Sequence, residues 1–293
     1  MNHLYLCMGV SRQGHWEAVK RACEQAQREP YYIGLIAEVR EMHPGMGLRT
    51  MYDQFLPEGI GRDAFIALGL REGFRLKAIH NPVRTTLSVK SLKYGNLCIG
   101  KQFTDVNQLW VSDIFYFPID GRHYYVVLIM DVYSRRLLGY SVADNLRAEN
   151  NLKALHMALS VRGIDHYHDR LIHHSDKGSQ YISNDYTGTL LDRGIQISMC
   201  DDVLENAHSE RVNGTIKNDY LNRWTIKNIH DLQTCMGKAY THYNNRNHHS
   251  LKMTPLQFEA YIQTIAPQKR PIMEIYTIKK STENPLQLKF EYN

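Results

Sequence analysis

Apolar positions in residues 31–76 recur with a helical period. In "YYIGLIAEVREMH", Ile33, Ile36, Ala37 and Val39 fall near one helix face. "PGMG" breaks that helix, and "LRTMYDQFLPEGI" and "RDAFIALGLREGF" read as two further short helices parted by Pro57 and Gly59. From residue 108 the texture changes to strands. "LWVSDIFYFPI" runs into Asp120-Gly121, a two-residue hairpin signal, and "RHYYVVLIMDVY" follows with both faces largely apolar, as a central strand requires. "RRLLGYSVA" reads as a third strand. Over 146–160, Leu152, Leu155, Ala158 and Leu159 share one helical face. "RLIHHSD" is a fourth strand, "NDYTGTLLDRG" a helix, "GIQISMC" a fifth strand and 206–223 a long helix. The order is β-β-β-α-β-α-β-α.

A chain of 293 residues exceeds one typical domain, and 43% hydrophobic content supports a real core. The five cysteines, Cys7, Cys23, Cys98, Cys200 and Cys235, are scattered, which argues against a zinc knuckle or a disulfide framework and fits a reducing compartment. The first residues lack a secretory apolar segment, and no apolar run approaches a membrane span. Net charge is +5, unevenly spread: +1 over 1–81, +3 over 82–109, −3 over 110–225 and +4 over 226–293. An acidic middle with basic flanks fits a cation-binding centre fed by phosphate-gripping arms. The division expected is a helical, helix-turn-helix-like region at 1–81, a basic linker at 82–107, an α/β core at 108–225, a helical continuation at 226–265 and a basic tail at 266–293.

Three carboxylates occupy settings that packing explains poorly. Asp113 interrupts an apolar, aromatic run, Asp176 ends the fourth strand, and Glu210 opens the last helix of the core. Sixty-two residues separate the first two and 33 the last two. Carboxylates of this kind suit Mg²⁺, and two such ions can clamp the attacking and leaving oxygens of a phosphodiester. Asn206, Glu210, Asn213 and Lys217 recur along one helical stripe, whereas Glu205 is rotated away from it. Asp131 in "LIMDVYSRR" reads as structural, capping the turn into Ser134. His173 and His174 are adjacent in a strand, point to opposite faces and read as core or supporting residues rather than zinc ligands. No Gly-x-Ser-x-Gly elbow is present, so a serine hydrolase is poorly supported. The element order is that of the RNase H-like fold, in which strands one and four are neighbours and the last helix crosses them, so the three acids can converge.

At these residues the chain resembles a known family. "LWVSDIFYFPIDGRHYYVVLIMDVYSRRLLGY", "HHSDKGSQY", "GIQISM", "ENAHSERVNGTIKNDYL" and "YTHYNNRNHHSLKMTPLQF" occur in the order found in bacterial insertion-sequence transposases of the IS-three type, in the DDE class with retroviral integrases. The resemblance spans about residues 9–258. It implies an RNase H-like, integrase-like core behind a helix-turn-helix, with Asp113, Asp176 and Glu210 as the catalytic and metal-binding triad. It implies two Mg²⁺ or Mn²⁺ ions per site and Lys217 as the lysine that grips DNA near the cut. Lys177, Arg211, Asn213 and Arg246 are further candidate DNA contacts, and His248 shares the basic, aromatic tract of Arg246. Tyr243 fits core packing at least as well.

The activity implied is metal-dependent nicking and strand transfer at insertion-sequence ends. The implied partners are double-stranded DNA, further copies of the chain on DNA and an upstream-frame DNA-binding segment, in the bacterial cytoplasm at the nucleoid. The chain departs from the family pattern in the loop "CDDVLENA", which is shorter than usual, in Glu205, where an aspartate is common, and in Phe115, which stands for a common threonine. Two rival readings are an RNase H-like nuclease that cuts without joining and a non-catalytic DNA-binding protein derived from a transposase. A strand-transfer assay separates the first, and loss of a triad acid would mark the second.

Overall fold

The computed structural model describes residues 9, 11–77, 79, 94–200 and 206–275. They form two compact units, Met1–Pro82 with Asn218–Trp224, and Val83–Lys217 with Thr225–Asn293.

The first unit is helical. Helix α1 (Arg12–Met42) starts at Ser11, whose Oγ accepts a hydrogen bond from Gly14 N at 2.9 Å. It begins well before residue 31, where the apolar period starts. Residues 12–30 are almost all exposed and rich in Gln, Glu, Arg, Lys and Ala, so propensity rather than burial sustains them. The second half packs. Tyr32, Ile36 and Val39 meet Leu48 and Met51 of α2 (Leu48–Phe55) and Phe65 and Leu68 of α3 (Arg62–Arg71). The α2–α3 turn uses left-handed backbone at Leu56 and Gly59, and Tyr32 Oη ties it down by donating to Glu58 O at 2.7 Å. Residues 218–224 complete this unit: Tyr220 Oη lies 3.1 Å from His43 Nδ1 in a buried contact, and Arg223 Nη2 donates to Lys77 O. The 108–225 core expected from the sequence therefore loses its last residues to the helical unit.

The second unit opens with β1 (Gln102–Phe103), paired antiparallel with β7 (Met273–Glu274). Its main sheet has β2 (Leu109–Ile119), β3 (Arg122–Asp131), β4 (Leu137–Ala143), β5 (Leu171–Ser175) and β6 (Ile195–Met199), in the order β4-β3-β2-β5-β6. The first three strands are antiparallel neighbours, whereas β5 runs parallel to β2 and β6 parallel to β5. This is the RNase H-like topology. Asp120 and Gly121 both take positive φ, as a tight two-residue hairpin with right-twisting strands demands.

Helix α4 (Ala148–Arg162) lies close on the sheet over Gly139, where an added Cβ would strike the Ala154 carbonyl oxygen and come within 2.9 Å of Ala158 N. Trp110, Ile129, Leu138, Leu155, Ile195 and Ile197 share that core with α5 (Ser179–Ile182) and α6 (Asn184–Asp192), through Tyr181, Tyr186 and Leu190. Helix α7 (Ala207–Thr215) packs against β2 and β3, followed by α8 (Ile229–Asn244) and α9 (Pro255–Thr264).

Three expectations on extents change. The long helix at 206–223 is α-helical only to Thr215, then widens into a π-type turn over Ile216–Tyr220 and tightens at Leu221–Arg223. Residues 94–107, expected as linker, are knitted into the sheet unit: Cys98 and Phe103 are buried and Leu97 N donates to Ser198 Oγ. The start of the basic tail is likewise held, by β7 and by Tyr133 Oη donating to Pro271 O at 2.9 Å. Residues 82–93, the loop at 201–205 with Glu205, and the tail from 276 lie outside the described residues.

Candidate active site

Strand pairing determines where the first two acids meet. Trp110 is opposite His173 and Val111 opposite His174 in the parallel β2–β5 pair. The pairing ends there, and the same spacing carried two residues further aligns Asp113 with Asp176, the latter one residue past the end of β5. Side chains alternate along a strand, so Asp113 shares a face with Val111, the face covered by α7. Asn213 of α7 donates Nδ2–H to Asp113 Oδ2 at 2.8 Å, and the Ile114 amide donates to Oδ1. Nearby, Asn206 Nδ2 reaches the Ser112 carbonyl at 3.3 Å.

The electrostatics follow from this crowding. Burial, then Asp176, then Glu210, push the half-buried Asp113 carboxyl up to about 7 against the two hydrogen bonds that favour its anion. Burial also raises Asp176, while the Gly178 amide, donating to its Oδ1 at 3.1 Å, opposes the rise. Glu210 is exposed on α7. The three acids thus lie in one field. Among the described residues, no three His, Cys, Asp or Glu side chains close tightly enough around one point to hold an ion.

The remaining candidates separate. Asn213 is buried and committed to Asp113 through Nδ2, with its Oδ1 lacking a hydrogen-bond partner. Lys217 sits in the π-type turn, half-buried, and burial lowers its ammonium pKa. Lys177 follows Asp176 and is half-buried, Arg211 is exposed on α7, and Arg246 lies just beyond α8. Asp131 is structural: fully buried, it accepts from Ser134 N at 3.0 Å and from Arg162, which also holds Glu259 of α9. Both histidines are core residues. His173 Nε2 meets Tyr186 Oη at 3.0 Å and His174 Nδ1 meets Ser198 Oγ at 2.8 Å. Tyr243 is buried and His248 hydrogen-bonds it.

Arg135 and His208, which hydrogen-bond each other, escaped the reading of the sequence. The signal available was the doubled arginine of "YSRR" in a turn.

Two stretches match families described as Integrase core domain, at residues 104–202 and 193–255. The transposase for insertion sequence element IS629 of Shigella sonnei is 32% identical over 229 residues, covering 76% of each chain. The chain belongs to the insertion-sequence transposases with an integrase core. It is a DDE-type polynucleotidyl transferase. An IS600 protein of 31 kDa from Shigella sonnei is 30% identical over 273 residues, which covers 88% of this transposase and 98% of that protein. The HTLV-2 integrase catalytic core in complex with magnesium is similar at TM-score 0.44 and 20% identity, covering 53% of the transposase and 97% of that chain. Among the described residues, no helix is long and apolar enough to cross a membrane.

Proposed function

We propose that this transposase nicks and joins DNA at the ends of an insertion sequence, with Asp113, Asp176 and Glu210 as its metal-binding catalytic triad. The observation that carries the reading is the shared field of the acids, with Asp113 on β2, Asp176 just past the neighbouring β5, and Asp113 under the influence of both other carboxylates. A half-buried, oxygen-only donor set open to water fits Mg²⁺ or Mn²⁺, which keep waters and accept substrate phosphates. The unpartnered, buried Oδ1 of Asn213 beside Asp113 agrees with a site that acquires polar ligands. Asp113, Asp176 and Glu210 would hold two such ions, whose chemistry would be activation of a water or 3′-hydroxyl nucleophile and stabilisation of the leaving oxygen.

The chain's own groups do the rest. Asn213 orients Asp113, and Lys217, Arg211, Arg246 and Lys177 guide backbone phosphates. No side chain forms a bond to DNA. The α2–turn–α3 unit contacts the element ends, further copies of the chain assemble on the DNA, and an upstream-frame segment adds binding. This work takes place in the cytoplasm at the nucleoid.

The test incubates the protein with duplex end DNA and Mg²⁺ and scores nicks and joined strands. Asp176→Asn and Glu210→Gln keep DNA affinity and lose both products. Variants that retain wild-type joining would refute the triad, and nicks without joined strands would identify a nuclease.

A further inference from the structure

The strand ladders stop before they reach the second acid. Pairing of β2 with β5 ends at Val111 and His174, and pairing of β5 with β6 ends at Ser175 and Met199. Asp176 follows outside both. Its position depends on the strap of residues 177–181 that leads into α5. Gly178 N donates to Asp176 Oδ1 at 3.1 Å, and Tyr181 N donates to Gly178 O at 3.0 Å. The Asp176 carboxyl and the Tyr181 backbone are therefore linked through one turn.

Tyr181 reaches back to β2, at the residue next to Asp113. Ser112 is fully buried, and strand alternation turns its side chain to the face opposite the Asp113 carboxyl. Its Oγ donates to Leu128 O at 3.0 Å and lies 2.8 Å from Tyr181 Oη. A serine hydroxyl has one proton, so the Tyr181 hydroxyl is the donor in the second bond. Tyr181 is itself buried, where a hydroxyl without a partner is costly. The Ser112 carbonyl meanwhile accepts from Asn206 Nδ2 at 3.3 Å, and Asn206 stands at the N-cap of α7, four residues before Glu210. One residue of β2 thus touches the segments that carry both other acids.

We infer that Ser112 is a positioning residue: through Tyr181 and Asn206 it fastens the strap of Asp176 and the start of α7 to the strand of Asp113, and so sets the spacing of the acids. The inference rests on the proposed triad. An ion binds more tightly to acids already held at their working distance than to acids it must first gather. The hydroxyl of Tyr181 can be tested apart from its ring. The ring packs edge-on to Tyr186 at 5.5 Å within the sheet core, and phenylalanine keeps that packing.

The experiment has two readouts on the full chain. Hydrogen exchange of metal-free protein follows the amides of residues 177–182, and the melting midpoint is titrated with Mg²⁺. Tyr181→Phe speeds exchange of the strap about tenfold and raises the Mg²⁺ concentration that gives half of the Tm rise about tenfold. Ser112→Ala does the same, and the double variant is no worse than either, because both remove one bond. Tyr167→Phe is the control. It deletes a hydroxyl of the same core that lacks a hydrogen-bond partner among the described residues, and it leaves both readouts at wild-type values. Wild-type exchange in both test variants would overturn the inference. Faster exchange with a wild-type Mg²⁺ requirement would do so too, as would additive losses in the double variant or an equal shift in Tyr167→Phe. Should Tyr181→Phe not fold, Ser112→Ala carries the same test. A wild-type midpoint that Mg²⁺ leaves unmoved, with the strap loosened in both variants, would instead sink the triad reading and leave the fastening standing.

Discussion

Asp113→Asn tests the electrostatic strain of the acid site without touching its shape. In the folded chain the carboxyl is pushed to about 7 from its ordinary 3.8. Fully expressed, that displacement is about 4 kcal/mol, and water around a half-buried carboxyl reduces it to about 1–2 kcal/mol. The sign is that of a raised acid. Its stabilising contribution is complete below 3.8, where both states hold the proton, and is lost as pH rises through about 7, where the folded state must release it. The amide is neutral throughout. Metal-free Asp113→Asn should therefore melt about 3–6 °C above wild type at pH 8, with a smaller advantage at pH 5. Adding Mg²⁺ at pH 8 should raise the wild-type Tm and leave the variant nearly unmoved. Differential scanning calorimetry across pH, with and without Mg²⁺, measures both effects. An advantage that is absent at pH 8, or that does not grow with pH, would refute the argument from crowded carboxylates.

Three further outcomes follow from packing and charge. Gly139→Ala drives a methyl into the Ala154 carbonyl and should lower stability by about 1–3 kcal/mol in urea unfolding. Arg162→Ala removes the only ion pair of Asp131, 0% exposed, among the described residues and leaves Glu259 to Arg136, and should cost about 3–5 kcal/mol, with loss of soluble protein as the first sign. Lys217→Ala should flatten the salt slope of DNA binding by about one unit while Mg²⁺ still raises the Tm, and a slope equal to wild type would make it an ordinary surface lysine.

Much of the sheet was legible because its cues are local. The hairpin at Asp120-Gly121 rests on two residues tolerant of positive φ, and the five strands on apolar runs bounded by turns. Asp131 was readable as a turn cap because Ser134 stands three residues on. Other features depend on partners distant in the chain. No local pattern reveals that Phe103 pairs with Met273, so residues 94–107 read as linker. Residues 12–30 form helix without burying a face, which leaves no period to detect. The helix through Glu210 widens after Thr215, although its sequence continues in helical style. Asn213 read as a candidate DNA contact on the stripe of Glu210, and only the approach of α7 to β2 reveals its partner in Asp113.

The parallel register of β2 and β5 has a consequence for how this protein can be altered. The paired residues of β2 and β5 end two positions before Asp113 and Asp176, and everything between the two acids is an excursion that leaves β2 and returns to its neighbour. The length of that excursion is immaterial to the acids, so a peptide spliced into the exposed tip at Asp120-Gly121 should leave them facing each other. A slip of a single residue between the two strands is another matter. It would turn Asp176 toward Tyr181 and the buried core and bring Ser175 or Lys177 to the acid face. The centre thus tolerates large changes in the loop that separates its halves and almost none in the alignment that joins them.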